Sequence, residues 1–93
     1  MFQIIFIVID RFSIEGKGTA LTGITQDDSL AIPVGAIITI KRPNLSDIQS
    51  IALGFEVFRD AWSPHKPRNF GILLPAEIDI DDIPPKSEIW CDV

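Results

Sequence analysis

The sequence predicts an all-β domain, a small antiparallel barrel or sandwich. Short runs rich in Ile, Val, Phe and Thr recur along the chain, turn residues separate them, and no long stretch carries a helical stripe. Seven prolines strengthen the last point, since Pro inside a helix costs ~3 kcal/mol.

The elements follow in order. Phe2–Ile9 has one polar residue, Gln3, and reads as a strand buried on both faces. Thr19–Thr25 is a second strand, entered after Gly16 and Gly18 break the chain. Asp27-Asp28-Ser29 has turn chemistry, and in Ile32-Pro33-Val34-Gly35 Pro presets φ while Gly lets the chain bend. Ala36–Lys41 is the next strand, and Arg42-Pro43-Asn44 ends it. Ser50–Arg59 and Asn69–Leu74 are further strands, and Glu88–Asp92 closes the chain. Pro64, Pro67, Pro84 and Pro85 fall in two late loops.

At 93 residues the chain, residues 1–93, is one domain. Its hydrophobic share of 46% and charged share of 23% are those of a folded protein, which excludes a disordered tail or a coiled coil. The apolar run Ile4–Ile9 is far short of the ~20 residues a membrane helix needs. No Lys or Arg precedes that run and no small-residue cleavage pattern follows it, so a cytoplasmic location is expected. The net charge of −5 repels phosphate at long range and weighs against RNA as a partner. One cysteine, Cys91, and one histidine, His65, leave no material for a disulfide, a multi-cysteine metal site or a paired-histidine centre. No enzymatic activity and no cofactor are expected.

Residues Phe12–Gly23 read Phe-Ser-Ile-Glu-Gly-Lys-Gly-Thr-Ala-Leu-Thr-Gly. This resembles the opening motif of the second domain of translational GTPases, elongation factor Tu above all, with Lys17 in the place of an arginine. Further blocks follow in family order: Pro33-Val34-Gly35, then Gly54-Phe55-Glu56-Val57-Phe58-Arg59, then Asn69-Phe70-Gly71-Ile72-Leu73-Leu74, then Asp82-Ile83. The resemblance covers almost the whole chain and implies a closed antiparallel β-barrel. Locally, Gly16 and Gly18 permit φ > 0 or close backbone approach at a hairpin, and Gly23 permits a bulge where a small barrel turns its corner. The fragment Gly16-Lys17-Gly18-Thr19 lacks the upstream glycine and the following helix of a phosphate loop, so no GTP binding by this chain alone is expected.

In that family the barrel helps to hold the aminoacyl end of transfer RNA. The resemblance implies a pocket for the terminal adenosine, built from an acid at the end of the first strand, the Asn of the Asn-x-Gly strand and a basic residue after that strand. This chain supplies Asn69 for the second and has Ile9 and Pro75 at the other two places. Asn69 also suits a turn cap.

Two surfaces stand out beside this one. The loop Arg59–Arg68 gathers Arg59, Trp62, Lys66 and Arg68, a basic and aromatic set suited to stacking and charge in an acidic chain, or to a solvated loop whose Trp packs on the domain. The first strand is apolar on both faces, with Ile4, Phe6 and Val8 on one and Ile5, Ile7 and Ile9 on the other. A barrel has one inner face, so Ile5, Ile7 and Ile9 are expected to point outward and meet a protein partner or a second copy. The acidic stretch Glu77-Ile-Asp-Ile-Asp-Asp has no calcium-loop glycine and reads as a solvated loop. The expected function is a non-enzymatic, stand-alone binding module, with RNA-end binding as the alternative.

Overall fold

The computed structural model describes residues 1–25, 31–58 and 68–92. It is all-β, with strands β1 (Phe2–Ile14), β2 (Gly18–Thr25), β3 (Ile37–Lys41), β4 (Ile48–Ile51), β5 (Gly54–Phe58), β6 (Arg68–Leu74) and β7 (Glu88–Asp92). One 3-10 turn, Ile80–Asp82, precedes β7. Among the described residues every ladder is antiparallel, in one sheet of order β4-β3-β7-β1-β2-β6-β5.

Strand β1 runs farther than its apolar start suggests, because Phe12, Ser13 and Ile14 pair with Ala20, Thr19 and Gly18 of β2. Two bulges interrupt it. One residue, Ile9, is inserted between the pairs Val8–Gly23 and Asp10–Thr22. Another, Ile5, is inserted between Ile4–Trp90 and Phe6–Ile89. A bulge places two consecutive residues against one on the partner strand and breaks the alternation of faces. Ile5 and Phe6 are therefore both buried, each 2% exposed. This corrects the expectation that Ile5 points outward with Ile7 and Ile9, since a strict period of two assumes no inserted residue.

The stretch expected as one strand over Ser50–Arg59 is divided. Ile48–Ile51 pairs with β3 and Gly54–Phe58 pairs with β6, while Ala52 and Leu53 carry the chain from one sheet edge to the other. Ala52 donates its N–H to Ala36 O at 2.9 Å, and Leu53 donates to Leu73 O at 2.8 Å. No ladder joins β4 to β5, so the sheet is not closed into a barrel as expected. Instead of folding back as a hairpin, the stretch sends Ile48–Ile51 to β3 and Gly54–Phe58 to β6, which leaves β4 and β5 as the two edges.

The core lies on the inner face of this curled sheet. Phe70 is fully buried, with the ring of Phe55 edge-on at 5.0 Å and that of Phe6 edge-on at 6.3 Å. Leu21, Ile38, Ile40, Ile72, Leu74, Ile83 and Ile89 fill the rest. In β6 the alternation is regular, with Phe70, Ile72 and Leu74 inward.

The loop before β7 is held by its backbone. Asp79 and Asp82 form a reciprocal capping box on the 3-10 turn. From β1, Arg11 donates to Ile80 O at 3.1 Å and Ile83 O at 2.6 Å. Thr19 donates its hydroxyl to Ile78 O. Hydrogen bonds from charged donors contribute ~1.5–3 kcal/mol, so Arg11→Met is expected to destabilise the fold by about 2 kcal/mol in urea denaturation.

Candidate functional site

The outer face of β1 and β2 is apolar and open to solvent. Ile7, Ile9, Phe12 and Ile14 of β1 and Ile24 of β2 are 39–50% exposed. Ile7 lies directly opposite Ile24, and Phe12 opposite Ala20, so these side chains are cross-strand neighbours ~4.5–5.5 Å apart at Cβ. Asp10 is the one charged residue with an exposed place among them. At the start of β1 the half-exposed Phe2 packs on side chains of neighbouring strands. Phe2 stacks on Trp90 at 5.3 Å, and Lys41 Nζ sits 4.3 Å from the indole centre. Trp90 Nε1 donates to Glu88 Oε1 at 2.9 Å.

Beside Phe12 the face dips into a groove of about 420 Å³, whose lining includes Ile14, Lys17, Ala20, Val34, Gly54, Gly71 and Leu73. The register explains the dip. Ala20, Leu73 and Gly54 lie in one row across β2, β6 and β5, and Thr22, Gly71 and Glu56 lie in the next. Small residues on neighbouring strands leave a hollow where larger ones would stand. The rim at Val34 is set by the Pro33–Ala36 turn, closed by Ala36 N–H to Pro33 O at 3.0 Å with Gly35 at φ 88°. Gly35 N–H also donates to Ala52 O at 2.7 Å, which fixes that turn beside the β4–β5 link.

Ile7 and Ile9 stand exposed on the open face as expected, and Ile5 does not. Asn69 lies in β6, paired with Ile24 and Phe58, so its backbone belongs to a ladder and not to a turn before a strand. It shares the alternate positions of Gly71 and Leu73. Arg68 opens the same strand opposite Thr25. The side chains of Arg68 and Asn69, together with Arg59, Trp62 and Lys66, lie outside the described residues, as does the Asp27-Asp28-Ser29 turn. Sequence reasoning missed the groove, because Ala20, Gly54 and Gly71 become neighbours only once the register is known.

Among the described residues no group of three or more His, Cys, Asp or Glu is placed to hold a metal ion. The Gly16-Lys17-Gly18 segment is a tight hairpin, closed by Lys17 N–H to Ile14 O at 3.0 Å, and the Thr19 hydroxyl beside it is buried. Burial pushes the Cys91 thiol above its ordinary value of 9.0; a backbone hydrogen bond at Asp92 lowers it and the Asp92 carboxylate raises it. The folded chain thus holds the proton more firmly than the unfolded chain. Any stability this contributes is present below pH 9.0 and falls as pH rises beyond it. Native Cys91 is expected to react with a thiol reagent at least ~10-fold more slowly than the urea-unfolded chain at pH 8.

Among the described residues no helix is long and apolar enough to cross a membrane. No family model, no curated protein and no solved structure matches the chain.

Proposed function

We propose that this chain is a non-enzymatic binding module that makes protein contacts through the outer face of β1 and β2. The observation that carries this reading is the set Ile7, Ile9, Phe12, Ile14 and Ile24 on two paired strands, all open to solvent and interrupted by the Asp10–Thr22 pair. Contiguous exposed apolar surface of this kind marks interaction sites. Within β1 and β2 its exposed charge is Asp10, with Lys17 of the hairpin at the groove, and a surface this poor in cations suits a protein partner better than a polyanion. The resemblance to the second domain of translational GTPases supports a domain that works by contact.

A second reading, binding of a transfer RNA acceptor end, is favoured by one observation. Asn69 shares its alternate strand positions with Gly71 and Leu73, which line the groove.

The test is affinity capture from native lysate with and without ribonuclease, using the natural chain and an Ile9→Lys/Phe12→Lys variant. The expected result is the same protein in both nuclease arms and its loss with the variant. Recovery of transfer RNA that nuclease abolishes would replace the first reading by the second.

A further inference from the structure

The apolar face carries a projection and a hollow side by side. Phe12 is half exposed, and Ala20, directly opposite it on β2, lines the groove. The groove's volume of about 420 Å³ exceeds the ~150 Å³ that admits a benzene ring. A projection beside a hollow on one face is self-complementary. A two-fold axis lying in the interface, midway between the two, sets each ring over the other copy's groove.

We propose that two copies of this chain pair face to face across β1 and β2, each Phe12 ring entering the partner's groove between Ala20 and Leu73. This rests on the protein-contact reading above and names its occupant. The area bounds the pairing. Ile7, Ile9, Phe12, Ile14, Ile24 and Val34 expose roughly 500 Å² per copy, so these side chains supply at most about 1,000 Å² to a pair, the lower limit for a specific interface. An aromatic anchor in a pocket at the centre of the patch is also where binding energy concentrates. The area is at the low end, so the dimer is expected to be a weak one.

Reciprocity gives the proposal a distinctive test. Sedimentation equilibrium of the full chain between ~10 µM and ~1 mM reads the association, and circular dichroism checks each variant's fold. Phe12→Ala removes the ring and keeps the groove. Ala20→Leu fills the groove and keeps the ring. Each alone is expected to weaken pairing at least ~30-fold. An equal mixture of the two restores one ring-in-groove contact and is expected to form a heterodimer tighter than either homodimer. If Ala20→Leu does not fold, Val34→Trp narrows the same groove from an exposed rim position.

A natural chain that stays monomeric to ~1 mM would overturn the proposal, and so would a dimer indifferent to these variants or a mixture no tighter than its parts. A monomer whose captured protein partner is still lost with Ile9→Lys/Phe12→Lys would leave the protein-contact reading standing and remove the second copy from it.

Discussion

Replacing Gly23 by alanine is expected to destabilise the domain by about 3 kcal/mol or more, lowering the melting temperature by roughly 12–24 °C. Gly23 lies opposite Val8, at the bulge that inserts Ile9. A Cβ there would come closer than 3.0 Å to both the Ile7 carbonyl oxygen and the Phe6 ring. Ile7 O belongs to the strand backbone, so relief requires β1 to move. Phe6 is buried against Phe70, so its ring has nowhere to go without opening the core. Domains of this size are stable by ~5–15 kcal/mol in total, and thermal unfolding followed by circular dichroism will show the loss. A melting temperature within a few degrees of the natural chain would mean that β1 does not approach β2 this closely.

The second large effect is expected at Gly18, and it separates two causes that glycines often mix. Gly18 has φ 140° and its Cβ would also press on the Leu74 carbonyl oxygen. Gly16, in the same hairpin, has φ 76° but open space around the added atom. Alanine at Gly16 therefore meets backbone strain alone, ~1–2 kcal/mol. Alanine at Gly18 meets strain and collision together, about 3 kcal/mol or more. The collision is with β6, which lies beside β2 through the Thr19–Leu74 pair. Chemical denaturation of the two variants tests the ranking, and equal losses would show that conformation alone governs this turn.

These two glycines mark where the sequence was most readable. Gly18 and Gly23 had to serve close approach and a bulge, since a hairpin and a sharply turning strand require both, and each does so. Strand β7 lies where its apolar pattern put it, over Glu88–Asp92. The division at Ala52–Leu53 was hidden because the residues on either side are as apolar as a continuous strand would need. The bulge at Ile5 was hidden for a related reason. From Ile4 to Ile9 every residue is apolar, so a slip of one register exchanges one large side chain for another and leaves no trace in the pattern. Only Gly23, on the neighbouring strand, announced a bulge. The groove was beyond sequence because it is a property of three strands in register, while Ile7 and Ile9 were legible because β1 has more large side chains than one inner face can hold.

The place of β7 in the sheet has a kinetic consequence. Among the described residues it is the one strand whose ladders join the β3–β4 pair to the β1-β2-β6-β5 group. Its first contact with β1 sets Phe2 opposite Asp92, near the other end of the chain. Local hairpins such as β1–β2 form in ~1–10 µs, whereas docking of β7 on β1 brings together segments from far apart in the sequence. Joining segments so remote in sequence is the slow kind of step, in the millisecond-to-second range of non-local β folds. Docking of this five-residue strand is therefore expected to be the slow step of folding, with the two strand groups tethered until then by the Ala52–Leu53 link.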